Sequence, residues 1–357
     1  MRCKIYISII LLLWLACGIA LAEQLAWKLI YQENFDTPYE AYNGQTFGTD
    51  GWLTYQLING GAITVADGYA QLNAPDFWNA ALIHSTNSLP SEYKLRTKIG
   101  YINYDLTNYE QEDYDDPYFD SHGGHYENGI YFLTLTEALC SGDECAEEWW
   151  HFHRKIVIDV DNHINYGEPG ETFHPIFMVY MDPIAGTWGN ILRTWDGMAW
   201  DLSDDNWNVA YTYEYDTWYY AEVEKYDRML TLRLYDADMN ILEETDPVDF
   251  DLIYAIDDLT EYFYMGEPHT DDYEGDARID DITYYLPYVC GDANGDKNVN
   301  VADASFVIHM IFFEGPEPII YESGDANGDG NVNIADASYV INYVFFSGPD
   351  IICPAEE

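Results

Sequence analysis

The chain has few basic residues and no long apolar stretch after its first twenty residues. Of its 357 residues, 14 are Lys or Arg and 64 are Asp or Glu, which gives a formal net charge of −50 at pH 7. A field of this sign repels nucleic acid and anionic membranes, so we expect neither as a partner. Acidic chains can be disordered, but 17% aromatic and 48% hydrophobic residues suffice for a packed core.

Residues 1–22 have the pattern of a secretory signal peptide. A basic start and an apolar run over residues 5–15 precede Ala20 and Ala22, which have the small-x-small spacing of a cleavage site. Because this run is too short to span a bilayer, we expect cleavage after residue 22 and no membrane insertion. The mature protein is then secreted or associated with the cell surface. Cys17 leaves a lipid-anchored form open as an alternative.

Cysteine is scarce, and four cysteines remain after the predicted signal. They are Cys140, Cys145, Cys290 and Cys353. An even number in an exported chain favours disulfides, and the absence of a C-x₂-C pair argues against a metal site. Three pairings are formally open. We favour Cys140–Cys145, which closes a small loop, with Cys290–Cys353, which brackets the C-terminal segment.

Residues 23–286 lack a long window of helical periodicity and contain many short alternating runs. Leu95, Thr97 and Ile99 share one face of the run 93–101. Two further alternating runs meet at Asp227–Arg228, which predicts a hairpin. Many short strands in one region of this length favour an all-β sandwich of two sheets.

The pattern D-x-N-x-D-x-x-x-N-x-x-D occurs twice, 33 residues apart, and each copy precedes an apolar segment of helical length. Its polar residues occupy the ligand positions of an EF-hand-type loop, where oxygen atoms surround a hard cation. The first loop supplies Asp292, Asn294, Asp296, the carbonyl of Asn298, Asn300 and Asp303. The second supplies Asp325, Asn327, Asp329, the carbonyl of Asn331, Asn333 and Asp336. Ligands that are all oxygen favour Ca²⁺, and we expect two sites.

The two loops differ at the sixth position, where the chain turns sharply. The second loop has Gly330 there, whereas the first has Lys297. A side chain in the left-handed region costs about 1–2 kcal/mol, and a positive charge lies near the cation. We therefore expect weaker binding in the first loop.

The duplicated loops closely resemble the type I dockerin family over residues 290–353. The resemblance implies a small all-α module that folds on calcium and binds cohesin modules of scaffold or cell-surface proteins. In that family such docking assembles complexes that degrade polysaccharides. The positions that contact cohesin are those just before the last ligand and early in each helix, here Val301, Ala302, Ile334 and Ala335.

Residues 32–36 and 277–285 are similar to the first and last strands of concanavalin-like or carbohydrate-binding jelly rolls. The resemblance implies that these strands lie together and share a structural calcium, for which Glu33, Asp36 and Asp281 are the candidate ligands. Ordinary strand-end carboxylates are the alternative.

Carbohydrate binding is the first of three functions open to the sandwich, and the one we favour. Tryptophans stack on sugar faces, and residues 186–207 form a polar, Trp-rich segment. The candidate contacts are Trp188, Trp195, Trp200 and Trp207. Together with the dockerin, this predicts a secreted protein that engages polysaccharide and is anchored to a cohesin-type partner.

A glycoside hydrolase or polysaccharide lyase is the second function, and a structural or adhesive protein of the cell surface or matrix is the third. The E-x-D-x-x-E motif of jelly-roll glucanases is absent, so no catalytic pair stands out. The candidates for proton transfer are His125, Glu127, His151 and His153. A stripe of Lys94, Arg96 and Lys98 on one strand could hold an acidic polysaccharide.

Overall fold

The computed structural model describes the two ends of the sandwich region and the whole C-terminal module, with gaps. The described residues are 25–40, 45–58, 61–74, 80–100, 132–135, 155–158, 164–165, 168–169, 177–180, 190–193, 199–200, 217–244, 247–249, 262–267 and 275–354. Residues Leu29–Leu286 form one compact unit, and Pro287–Glu357 form a second together with the N-terminal residues up to Lys28.

The larger sheet has ten strands within the described residues. They are β1 (Leu25–Glu33), β2 (Tyr39–Glu40), β5 (Ala62–Ala66), β6 (Tyr69–Ala74), β8 (Tyr93–Gly100), β16 (Trp218–Tyr226), β17 (Met229–Asp236), β18 (Ile241–Glu244), β19 (Val248–Asp249) and β21 (Gly275–Val289). Their order is β18-β17-β16-β8-β21-β6-β5-β2, with β19 beside β17 and β1 beside β21. The first and last strands therefore pair, as the jelly-roll resemblance implied.

In the part of the chain that the structure describes, the smaller sheet has six strands, and two short sheets lie beside the two large ones in sequence. The six are β3 (Thr46–Phe47), β4 (Leu53–Ile58), β7 (Ala80–Ser85), β9 (Phe132–Leu135), β10 (Lys155–Ile158) and β20 (Tyr262–Glu267), in the order β10-β9-β20-β7-β4-β3. The short sheets pair β11 (Ile164–Asn165) with β12 (Glu168–Pro169), and β13 (Phe177–Tyr180) with β14 (Asn190–Arg193) and β15 (Ala199–Trp200). A 3₁₀ turn covers Thr49–Gly51.

Alternation along the strands places one face of each large sheet in a common core. On β8 the side chains of Leu95, Thr97 and Ile99 are at most 2% exposed, as the sequence pattern predicts. Leu95 and Ile99 join a single cluster that also contains Tyr55 of β4 and Phe263 of β20 in the other sheet. Because successive side chains point to opposite faces, Lys94, Arg96 and Lys98 lie on the other face of β8. The unit is a β-sandwich, as predicted.

The predicted hairpin is present between β16 and β17. Tyr226 pairs with Met229, and Asp227 and Arg228 form the two-residue connection. Both have positive φ, 46° and 66°, the conformation of a type I′ turn whose twist matches that of the flanking strands.

The second unit contains two helices of equal length, α1 (Val301–Phe313) and α2 (Ile334–Phe346), and a 3₁₀ turn at Tyr321–Gly324. The helices pack around a small apolar core. Its buried members are Ala26, Tyr288, Cys290, Ala293, Ala304, Val307, Ala326, Val332, Ala337, Val340 and Ile351. In the described part of the chain, neither helix is long and apolar enough to cross a membrane.

Candidate calcium and docking module

Each loop wraps around the carboxylate of its first aspartate. Asp292 accepts hydrogen bonds from the backbone N–H groups of Gly295 at 3.0 Å, Asp296 at 3.1 Å and Lys297 at 2.8 Å. Asp325 accepts the equivalent bonds at 2.9, 3.1 and 2.7 Å in the second loop. A carboxylate that accepts several N–H groups holds the backbone in a tight turn, so both loops have the same conformation.

The last aspartate of each loop also begins the helix that follows. Asp303 accepts hydrogen bonds from the N–H groups of Asn300 at 2.8 Å and Asn294 at 3.2 Å. Asn300 caps α1 through the N–H of Ala302 at 2.8 Å, which completes a capping box. Asn333 and Asp336 make the same box at α2. The expected ligand positions therefore couple loop geometry to helix formation.

Negative charge is concentrated and buried in both loops. The exposed fractions are 4% for Asp292, 0% for Asp303, 1% for Asp325 and 0% for Asp336. Burial raises the pKa of Asp303 to about 6, and the charges of Asp292 and Asp296 act in the same direction. Burial also raises the pKa of Asp336. Carboxylates that repel one another in a buried site are stabilised by a cation, and oxygen donors alone suit Ca²⁺.

The loop carboxylates are held by backbone N–H groups. Among the described residues, no group of three or more His, Cys, Asp or Glu side chains already has the geometry of a metal site. The set of candidate ligands fits calcium, because its members supply oxygen atoms and occupy the ligand positions of the EF-hand pattern.

The turn at the sixth loop position has positive φ in both loops, 63° at Lys297 and 84° at Gly330. The sequence predicted this conformation from the EF-hand pattern. Gly330 adopts it without strain, whereas Lys297 bears the cost of a Cβ atom in the left-handed region.

The two helices present matching apolar side chains to solvent. Val301 and Ile334 are 46% and 47% exposed, and Ala302 and Ala335 are also exposed. The structure adds a second matched set that the sequence analysis did not single out. Phe312 and Phe345 are 62% and 60% exposed, and Phe313 and Phe346 are 67% and 72% exposed. The Phe-Phe pair recurs after 33 residues, and this repeat is the sequence signal that could have found the second set. Which aromatic side chains are exposed and which are buried depends on packing, which the sequence does not show.

The disulfide between Cys290 and Cys353 is present, with a Cα–Cα distance of 5.3 Å. It joins the residue before the first loop to the end of the module, as favoured from the sequence. Cys140 and Cys145 lie outside the described residues.

The three candidate ligands for a calcium site in the sandwich each have local hydrogen-bond partners. Glu33 accepts from the N–H of Phe35 at 2.8 Å, and Asp36 accepts from Asn34 at 2.8 Å. Asp281 accepts from Gln32 at 2.7 Å, and from Tyr220 at 3.3 Å. These bonds agree with the alternative of strand-end carboxylates that stabilise turns and strand pairing, and the shared site stays a prediction.

The candidate residues for catalysis and sugar contact lie mostly outside the described residues. These are His125, Glu127, His151, His153, Trp188, Trp195 and Trp207. Trp200 lies in β15, where its backbone pairs with Leu192 of β14.

The basic stripe of β8 is paired with acids on both neighbouring strands. Arg96 lies opposite Glu222 of β16 and bonds its Oε2 atom at 2.8 and 2.5 Å. Lys98 lies opposite Asp280 of β21 and bonds it at 2.8 Å. This pairing neutralises two of the three cations that were candidates for holding an acidic polysaccharide.

Glu222 is the centre of this network and is 1% exposed. Its other oxygen accepts from Arg233 and from the Tyr235 hydroxyl, both at 2.9 Å. Burial alone would raise the pKa of Glu222, but the charge of Arg96 and the other basic neighbours outweigh it and lower the pKa. The carboxylate is ionised and saturated with donors, which is the state of a structural group and not of a general acid.

Two loop–helix repeats with capped helices, buried aspartates and a closing disulfide define a duplicated EF-hand-like module. Comparison with protein families assigns it: residues 290–345 match the dockerin type I domain. The C-terminal unit therefore contains a dockerin type I domain. Domains of this family bind calcium.

No curated protein sequence matches the chain. Solved structures with some similarity include the catalytic domain of PdAgaC, at 11% identity and a TM-score of 0.45 over 76% of this chain and 96% of that one. The β-agarase A of Zobellia galactanivorans has 11% identity and a TM-score of 0.44 over 76% and 98%. Winged bean acidic lectin with methyl-α-D-galactose has 9% identity and a TM-score of 0.39 over 70% and 98%. At such scores the matches carry no argument about ligand or activity.

Proposed function

We propose that the C-terminal module binds two calcium ions and docks the protein onto a cohesin-type domain. Six positions in each loop, the first loop from Asp292 to Asp303 and the second from Asp325 to Asp336, supply the ligands. The observation that carries this proposal is the pair of equivalent loops, each with its first and last aspartates almost fully buried. A buried cluster of carboxylates is costly by itself, and a bound cation removes that cost.

The docking surface consists of the exposed apolar side chains on the two helices, and we name it the helix stripes. Its members are Val301, Ala302, Phe312 and Phe313 on α1, and Ile334, Ala335, Phe345 and Phe346 on α2. Apolar side chains grouped on a small, otherwise polar module are typical of a protein interface. The matched exposure of the two sets gives two nearly equivalent surfaces for one partner.

For the sandwich we propose carbohydrate binding in an exported protein. The support is the Trp-rich segment 186–207 together with the dockerin, whose family resemblance implies assembly on polysaccharide substrates. The anchor would then hold the sandwich close to its glycan.

One set of assays on the mature chain, residues 23–357, tests both proposals. Calorimetric titration with Ca²⁺ should show two sites, and a recombinant type I cohesin should bind in calcium and be released by chelator. Absence of calcium binding would contradict the first proposal. Absence of cohesin binding by a calcium-loaded protein would contradict only the docking step.

Binding to insoluble neutral and acidic polysaccharides, measured with an assay for new reducing ends, tests the sandwich. Retention on a glycan without new ends supports binding. New reducing ends would identify a hydrolase or lyase instead, and variants of His151 and His153 would then be the first to make. Absence of both results would favour a structural or adhesive role.

A further inference from the structure

Residues near the start of the chain are part of the C-terminal unit. Ala26 and Lys28 lie on the same side of β1, because alternate residues of a strand share a face. Ala26 is 5% exposed and belongs to the same apolar core as Cys290 and Ala326. The ammonium group of Lys28 donates to Oε1 of Glu322 at 2.6 Å, across 294 positions of sequence.

Glu322 belongs to the 3₁₀ turn Tyr321–Gly324, which directly precedes the second calcium loop. The carbonyl of Glu322 accepts from the N–H of Asp325, the first ligand position, at 3.1 Å. The hydroxyl of Tyr321 accepts from the N–H of Val332, the eighth of the twelve positions of the same loop, at 3.0 Å. The turn therefore contacts the second loop both at its first position and in its second half.

The same turn also contacts the residue directly before the first loop and packs tightly. The carbonyl of Ser323 accepts from the N–H of Gly291 at 2.8 Å. A Cβ atom at Gly324 would lie 2.9 Å from Cγ1 of Val332, so only glycine fits between the turn and the second loop. A turn held on several sides transmits a change at Glu322 to the ligand positions, because it has little room to adjust.

We propose that Ala26 and Lys28, which we call the N-terminal clamp, increase the calcium affinity of the second loop by holding the Tyr321–Gly324 turn in place. The inference rests on the proposed calcium function. A contact that forms only when the loop is ordered adds to the binding free energy of whatever orders the loop. The dockerin of this protein would then depend on a strand at the opposite end of the chain.

The expected size of the effect on calcium affinity follows from the solvent exposure of the Lys28–Glu322 ion pair. Lys28 and Glu322 have side chains 38% and 28% exposed, and partly exposed pairs contribute modestly. We expect Lys28→Gln to weaken calcium binding at one site about twofold to fivefold. Simple electrostatics predicts the opposite sign, since removal of a positive charge near a cation site should strengthen binding.

The test is calcium titration of the mature chain with Lys28→Gln, Glu322→Gln and the double variant at about 0.15 M salt, which screens distant charges. Each single variant should weaken one site, and the double variant should be no weaker than the stronger-acting single variant. Lys94→Gln removes the same charge from the sandwich and serves as the matched control. In an Asp325→Ala background, Lys28→Gln should leave the remaining site unchanged.

Unchanged or tighter calcium binding in Lys28→Gln would overturn the clamp. Additive effects of Lys28→Gln and Glu322→Gln would also overturn the clamp, because the two side chains would then act as independent charges and not as a pair. Failure of the wild-type protein to bind calcium at all would instead contradict the proposed function, so the two failures are distinguishable.

Discussion

At the scale of single residues, the module depends on aspartates that have two tasks. Asp292 and Asp325 each organise a loop backbone through three N–H groups and also occupy the first predicted ligand position. Asp303 and Asp336 each complete the capping box of a helix and occupy the last predicted ligand position. Loss of one such carboxylate should therefore affect both metal binding and local folding.

The first prediction compares Asp325→Ala with Lys297→Gly. Asp325→Ala should weaken calcium binding at the second loop by at least about tenfold, because it removes a charged ligand. Lys297→Gly should strengthen the first site, because it removes a nearby positive charge and about 1–2 kcal/mol of backbone strain. Calcium titration by calorimetry measures both. The assignment of the loops fails if Asp325→Ala binds two ions as tightly as the wild type.

The second prediction concerns Glu222 in the ten-stranded sheet. Glu222→Gln should destabilise the sandwich by about 2–3 kcal/mol at pH 7, less than a fully buried pair because its arginine partners keep contact with water. Arg96 and Arg233 are 22% and 18% exposed. Chemical denaturation in excess calcium, followed by tryptophan fluorescence, measures the difference.

The effect of Glu222 should depend on pH in a defined direction. Its pKa is lowered in the folded state, so its contribution is present above the unfolded pKa and is lost as the pH falls through the folded value. The gap between wild type and Glu222→Gln should shrink in acid. Glu244→Gln is the control, since that partner of Arg233 is 46% exposed and its loss should matter little. An equal loss of stability in both variants would refute the central role of Glu222.

At the scale of secondary-structure elements, the two helices are near copies in sequence, capping and exposure. Each begins at an asparagine cap and ends at a left-handed residue, Glu314 with φ 55° and Ser347 with φ 51°. The helix stripes end in the exposed Phe-Phe pairs. A partner that recognises one stripe should also recognise the other, because identical or similar apolar side chains lie at equivalent positions of the two helices.

The third prediction follows from this equivalence. Phe312→Ser or Phe345→Ser alone should weaken cohesin binding only about twofold, because one of two equivalent surfaces remains intact. The double variant should lose most of the affinity, since aromatic side chains dominate interface energy. Surface plasmon resonance against an immobilised type I cohesin, in calcium, measures this. Ile319→Ser is the control, as Ile319 is 95% exposed and lies outside the stripes.

A full loss of binding in one single variant, with none in the other, would show that only one stripe is recognised. Unchanged binding in the double variant would exclude the Phe pairs from the interface.

At the scale of the whole molecule, the C-terminal unit is closed by the Cys290–Cys353 disulfide, and we propose that calcium closes it a second time. The disulfide spans 63 positions, and a loop of that size stabilises a folded module by about 4 kcal/mol in the chain-entropy account. A module with so small an apolar core needs such additional constraints.

The fourth prediction is that the two closures partly replace each other. Reduction in excess calcium, or chelation with the disulfide intact, should loosen residues 290–353 only in part. Reduction together with chelation should unfold them while the sandwich keeps its β-sheet signal. Hydrogen exchange resolved by mass spectrometry measures each region separately. Full protection of the module after both treatments would show that neither closure stabilises it.

Local patterns in the sequence were sufficient for the two loop–helix repeats, the alternating strands of the core and the β16–β17 hairpin. These features depend on contacts between residues that are close in the chain. The sequence shows directly which of these residues can form hydrogen bonds and at what spacing the apolar residues recur. The dockerin assignment follows from the same local pattern, which explains why residues 290–345 were recognisable without the fold.

Only the tertiary structure decided which charges are free and which residues complete each core. The stripe of β8 reads as a cationic surface in sequence, but Arg96 and Lys98 meet their acids on strands far away in the chain. Ala26 and Lys28 read as part of the sandwich, yet their partners lie at the other end of the protein. Such contacts arise from strand pairing and packing between distant segments, and no local period or composition encodes them.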